Sequence, residues 1–149
     1  MRHAPPSPNA FSPPRGRKTE QAARGLAAMK IDPVLWITSP YRRARQTAEI
    51  TARVFGRNGG VSETPSLLPT ADPRLFAEEL RSSGVGSVIC FGHAPHLDLL
   101  IAHLLGCAAP FTRLKKAGAA CVEIDWTRRS RGTLVWLMTA RGLRQLGKK

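Results

Sequence analysis

The sequence predicts an α/β fold, and three observations carry that prediction. Short apolar runs alternate along the chain with stretches of helical periodicity. Proline and glycine fall between these segments, where helices start or stop. The length of 149 residues, with 42% hydrophobic residues, suits one domain. A chain of that size buries about 68–70% of its unfolded surface, enough for a core without disulfide or metal. Residues 1–149 are therefore expected to form a single domain.

Residues 4–18 are rich in Pro, Ser, Gly and Arg and read as an irregular loop. Thr19 can cap a helix running to about Lys30, with Ala22, Leu26 and Met29 on one face. Asp32-Pro33 breaks it. Val34–Thr38 reads as a buried strand. Ser39-Pro40 should open the next helix, with Pro40 at its first position, and Gly56 should end it. Residues 61–72 read as extended chain or loop. Pro73 opens a helix to about Arg81, and Ser87–Phe91 is a second buried strand. The turn Gly92-His93-Ala94 leads to a helix from Pro95 through Leu105. Residues 119–124 and 133–138 read as two more strands, and Ala140–Leu146 as a closing helix.

The net charge is +13 and the isoelectric point about 11.2. Such a surface attracts anions, whether nucleic acid, phosphoprotein or polyphosphate, without choosing among them. Cys90, Cys107 and Cys121 match no metal spacing and no disulfide framework, so reduced thiols and a cytoplasmic setting are expected. No apolar run is long enough to span a membrane. Pro5, Pro6, Pro8, Pro13 and Pro14 interrupt the start, which does not read as a signal peptide.

In open α/β sheets, function gathers at the carboxyl ends of the strands. Two turns are expected there, Ser39–Arg43 and Gly92-His93. Arg42 and Arg43 open a helix directly after a strand. A helix N-terminus offers free N–H groups and a positive dipole end, both favourable to an anion. Arginine adds planar donors that match phosphate oxygens. Arg2 and His3 are adjacent, and His93 sits in a turn of its own. A histidine beside arginines has a lowered pKa, which keeps an imidazole neutral enough to attack phosphorus. These pieces suit phosphoryl transfer, where catalysis is mostly positioning and charge stabilisation.

Three short segments resemble a known family. Met1-Arg2-His3-Ala4 resembles the Arg-His-Gly signature of the histidine phosphatase superfamily. Ser39-Pro40-Tyr41-Arg42-Arg43-Ala44-Arg45-Gln46-Thr47 is similar to its second motif, Ser-Pro-x-x-Arg-Ala-x-Gln-Thr, which aligns the phosphate-binding arginine with Arg43. Gly92-His93-Ala94-Pro95 resembles the third, Gly-His-x-Pro. The stretch Leu114–Ala119 and the segment Gly132–Leu146 resemble the SixA-type phosphohistidine phosphatases. Ala4 stands where the family has Gly, and Ala94 where it often has Asn.

The resemblance implies a three-layer α/β/α domain of the phosphoglycerate mutase-like type, with a mostly parallel central sheet. It implies a short apolar strand leading into Arg2-His3. The sequence opens at Met1, so this first strand is expected to be truncated, which would leave unpaired edges. By resemblance, His3 attacks phosphorus and becomes a phosphohistidine, while Arg2, Arg43 and His93 hold the phosphoryl oxygens. Water then hydrolyses the intermediate, and neither metal nor cofactor is required. Asp72 is the candidate general acid, and it is equally placed to cap the helix opening at Pro73. Glu78 and Glu79 are further candidates. Asn9 and Arg42 are candidate substrate contacts.

The expected partner is a phosphorylated protein, such as a phosphorelay or phosphotransfer domain. A small phosphate ester is the alternative within the enzymes. A catalytically impaired polyanion-binding module is the alternative outside them, kept by the charge. Against a nucleic-acid partner, the basic residues are spread along the chain instead of forming one tract with interleaved aromatics.

Overall fold

The computed structural model describes residues 13–128 and 132–148. Along the chain run α1 (Pro13–Ala28), β1 (Leu35–Thr38), α2 (Arg42–Val54), β2 (Val61–Glu63), a 3-10 turn (Pro65–Leu67) and α3 (Pro73–Ser83). Then come β3 (Val88–Phe91), α4 (His96–Leu104), β4 (Ala119–Ile124), β5 (Gly132–Met138) and α5 (Ala140–Gly147).

β1 is the centre of a parallel sheet ordered β2-β1-β3. Its register pairs Trp36 with Val61 on one side, and Leu35 with Val88 through Thr38 with Phe91 on the other. Parallel strands need crossovers, and α2 and α3 supply them. β4 and β5 form a separate antiparallel pair, with an irregularity between Cys121 and Val122. The expected mostly parallel sheet is present, divided into these two parts.

Helices cover both faces, giving three layers. On one face Leu67, Phe76, Ala77, Leu100 and Leu104 form a cluster against Ile37, Cys90, Val122 and Ile124. On the other, Ala22, Leu26 and Leu143 pack against Phe55, Ala119, Trp136 and Met138. The first cluster touches both sheet parts, so the two share one framework. Trp36 is 1% exposed and sits between Phe55, edge-on at 5.2 Å, and Phe91, stacked at 5.9 Å. Such ring pairs add specificity beyond the area they bury.

Two expectations need correction. The irregular loop over 4–18 does not hold for its last residues, because α1 begins at Pro13 and not at Thr19. Proline is tolerated in the first helical turn, where its missing N–H would have no partner. Pro40 is not the first residue of α2, which starts at Arg42 with Tyr41 in extended geometry before it. Cys90 packs against the cluster around Leu67 and Phe76, as a core residue of the second buried strand, and all four residues of β3 are half-buried. Among the described residues, no helix is long and apolar enough to cross a membrane.

α1 and α5 approach closely at glycine. A Cβ on Gly25 would lie 2.0 Å from the Leu143 carbonyl oxygen, and one on Gly147 would lie 2.7 Å from that of Gln21. In an isolated helix Gly→Ala is worth about 1 kcal/mol of added stability. Here Gly25→Ala is expected to destabilise by about 1–3 kcal/mol through overpacking, read as a lower denaturation midpoint at unchanged slope in urea.

Candidate functional site

The site forms where β1 and β3 end side by side. Their pairing continues one residue past β1, with the Ser39 N–H donating to the Phe91 carbonyl at 2.9 Å. Ser39 is fully buried. Its hydroxyl accepts the Tyr41 N–H at 3.2 Å and lies 2.9 Å from Nε2 of His93. This double use of one oxygen explains the late start of α2: Pro40 and Tyr41 form the bend that brings Ser39 under the imidazole. Sequence reading placed Ser39-Pro40 at the opening of a helix and missed the contact of Ser39 with His93. The two are 54 positions apart, and only strand pairing joins them.

His93 is fixed from two further sides. Its carbonyl accepts the Leu97 N–H at 2.8 Å, in the first turn of α4. The Tyr41 ring meets the imidazole edge-on at 5.4 Å. Burial lowers the His93 pKa, and the Arg43 charge lowers it further. The ring is therefore neutral at neutral pH. Arg43 is exposed, in the first turn of α2. That turn carries no acidic side chain to offset its positive end. Arg42 is exposed beside it.

His96, in the first turn of α4, is 1% exposed. Burial lowers its pKa and the nearby His93 adds to this, while Asp72 and the Ser66 carbonyl oppose. Both histidines thus bind protons less readily in the folded state than in the unfolded chain. Their contribution to stability is complete above pH about 6.5 and is lost as pH falls through their depressed values.

Asp72 caps α3. Its carboxylate accepts the Arg74 N–H at 3.0 Å and pairs with the Arg74 guanidinium at 2.8 Å. The Arg74 side chain holds its pKa down to about 2. Asp72 thus caps α3, and its pairing with Arg74 favours the ionised carboxylate. Glu78 is exposed. Glu79 accepts hydrogen bonds from Thr64 (2.9 Å) and Ser66, just beyond the end of β2. No sequence signal pointed to that cluster.

Arg2, His3 and Asn9 lie outside the described residues. Of the candidate site residues that are described, Arg43 and His93 come together at the strand ends. Among the described residues, no group of three or more His, Cys, Asp or Glu side chains could hold a metal ion. The arrangement presents a neutral imidazole, arginines and an uncompensated helix N-terminus, which together can bind a tetrahedral oxyanion.

Comparison with known proteins points the same way. The family model of the histidine phosphatase superfamily (branch 1) matches residues 14–67. Phosphohistidine phosphatase SixA of Escherichia coli K12 is 28% identical over 120 residues, covering 78% of this chain and 73% of SixA. The solved structure of the protein histidine phosphatase SixA complexed with tungstate superposes with a TM-score of 0.79 at 24% identity, covering 95% of this chain and 92% of that one. The putative phosphohistidine phosphatase SixA from Agrobacterium tumefaciens gives 0.64 at 17% identity, covering 87% and 85%.

If Arg43 keeps His93 neutral, Arg43→Gln should raise the His93 titration midpoint. Proton NMR of the imidazole should give a midpoint below 6.5 in the wild type and a higher one in the variant.

Proposed function

We propose that this chain, whose sequence and fold resemble those of the histidine phosphatase superfamily, is a phosphohistidine phosphatase with His3 as nucleophile. The observation that carries the reading is the meeting of Ser39, Arg43 and His93 at adjacent strand ends. The third motif and the second are thereby joined into one anion site. The SixA relative solved with tungstate supports this, since tungstate is a tetrahedral oxyanion like phosphate.

In this reading a neutral ring nitrogen of His3 attacks phosphorus. A new P–N bond forms as the bond to the leaving group breaks. Arg2 and Arg43 balance the charge on the phosphoryl oxygens, and His93 donates a hydrogen bond to them. Asn9 and Arg42 contact the substrate in this reading. Water then attacks the phosphohistidine, releasing inorganic phosphate and restoring His3.

The leaving group decides between the two enzyme readings. An alkoxide must receive a proton as it departs. Asp72 is ionised and tied to Arg74, so it is poorly suited to supply one. A phosphohistidine leaves as an imidazole that can already carry its proton. The pairing of Asp72 with Arg74 supports a phosphohistidine on a protein over a small phosphate ester. The charge of +13 suits an acidic protein partner, attracting it over long range.

His3→Ala is expected to lower release of phosphate from a phosphohistidine protein by at least about a thousandfold. Equal rates in variant and wild type would remove His3 from the mechanism. Asp72→Ala should leave phosphohistidine hydrolysis within about threefold of wild type while costing about 1 kcal/mol of stability through the lost helix cap. A large fall in hydrolysis of this substrate would return the acid's role to Asp72.

A further inference from the structure

The chain between α4 and β4, residues 105–118, forms neither helix nor strand. Connections of that length without structure of their own are uncommon, and most that exist serve a function. This one is fixed in place by a buried charge. Asp98, in the first turn of α4, is 5% exposed. One of its carboxylate oxygens accepts the Thr112 hydroxyl at 2.7 Å and the Leu114 N–H at 3.0 Å. A buried carboxylate is tolerated when hydrogen bonds replace its water. Both of these bonds come from the segment, so carboxylate and segment depend on each other.

The same bonds bring the segment to the site. α4 has nine residues and is ~14 Å long. The segment leaves its last turn, where the Cys107 N–H donates to the Ala102 carbonyl, and returns to its first. That first turn is tied to the site, because Leu97, the neighbour of Asp98, donates its N–H to the His93 carbonyl at 2.8 Å. Asp98 therefore holds Thr112 and Leu114 beside the turn that carries His93.

Exposure alternates along this stretch. Thr112 and Leu114 are half-buried, whereas Phe111, Arg113 and Lys115 are exposed. An extended chain turns successive side chains to opposite sides, so two bonds to Asp98 suffice to aim Phe111 and Arg113 at solvent. Phe111 is 57% exposed, and Tyr41, whose ring meets His93, is 51% exposed. Exposed aromatic rings beside arginine are what the centre of a protein–protein interface is built from.

The charge is equally one-sided. From Leu99 to Val122 the sequence has no Asp or Glu, and it has Arg113, Lys115 and Lys116. From Pro33 to Ala48 it again has none, with Arg42, Arg43 and Arg45. Among the described residues, Arg113, Lys115 and Lys116 form no ion pair, so their charge is available to a partner. A partner footprint of ordinary size covers about 800 Å², a disc of ~16 Å radius. Centred on His93, it takes in Tyr41 on one side and reaches the segment held by Asp98 on the other.

We propose that Phe111 and Arg113, held in place by Asp98, form with Tyr41 a docking edge for an acidic protein surface that flanks the phosphohistidine. The identity of the substrate rests on the phosphohistidine reading, and the docking edge names the face that selects it. Asp98 is a positioning residue: it acts through the segment it holds.

The test uses two peptides phosphorylated on histidine, one with glutamates flanking it and one with glutamines in their place, and the 149-residue chain. The wild type is expected to favour the glutamate peptide by at least about tenfold in kcat/KM, through KM. Arg113→Glu should remove at least about tenfold for the glutamate peptide and leave the glutamine peptide within about twofold. Arg81→Glu makes the same change of charge in the last turn of α3 and should alter neither by more than about twofold. Asp98→Ala should behave as Arg113→Glu does, and Asp98→Asn, which keeps an acceptor oxygen, should recover most of the loss. If Asp98→Ala does not fold, Arg113→Glu and Phe111→Ala, both at exposed positions, carry the test. Equal kcat/KM for the two peptides, or equal losses in Arg113→Glu and Arg81→Glu, would overturn the docking edge and leave the phosphatase reading standing. If the wild type hydrolyses neither peptide, the phosphatase reading fails, and fluorescence anisotropy of the unphosphorylated glutamate peptide decides the docking edge alone. Binding weakened in Arg113→Glu and not in Arg81→Glu supports it, and equal binding overturns it. A DNA duplex that displaces this peptide at far lower concentration would assign the surface to nucleic acid and likewise overturn the proposal.

Discussion

The parallel pairing of β1 with β3 is the constraint on which the site depends. Thr38 stands opposite Phe91, and the next N–H, that of Ser39, still bonds to the Phe91 carbonyl. That register ends both strands at the same level. It puts a hydroxyl from one turn under an imidazole from the next, 54 residues away in sequence. A slip by one residue would reverse every side chain of β1, turning Trp36 out of its place between Phe55 and Phe91. The ring contacts therefore guard the register, and the register positions the site.

Electrostatics then sets what the site can hold. The chain carries a large positive charge, and near His93 that charge is concentrated in Arg43 and the start of α2. Burial and the guanidinium act in the same direction on His93, and burial with a neighbouring imidazole does so on His96. Positive potential is thus supplied by groups that do not titrate near neutrality, while the imidazoles stay neutral. An oxyanion gains from both features: fixed positive charge and neutral hydrogen-bonding rings. The exposed carboxylate of Asp72 is tied to Arg74 and contributes a helix cap.

The close crossing of α1 and α5 has a structural consequence for the same region. Gly25 lets α1 lie directly on the Leu143 backbone, and this carries Ala22 and Leu26 into the cluster around Leu143. α1 thereby packs on α5 and against α2, beside the β4–β5 pair.

Much was legible in the sequence because it is local. Helical periodicity, proline and glycine placed α2, α3, α4 and α5 to within about two residues, and Gly56 ends α2 with a positive φ. The motifs Ser39–Thr47 and Gly92–Pro95 marked the two turns that meet, and the resemblance they carry fixed the fold type. What tertiary structure alone decided is how distant pieces are used. Ser39 could have capped a helix, but pairing with β3 brought His93 within reach and drew its hydroxyl there. Asp72 was open to two readings in the sequence, and folding pairs its carboxylate with Arg74 at the start of α3. His96 looks like any helix residue until α4 packs down and buries it. The division of the sheet into two parts is equally invisible in one dimension. Periodicity reports which face of an element is apolar, whereas the pairing of its edges depends on partners far away along the chain.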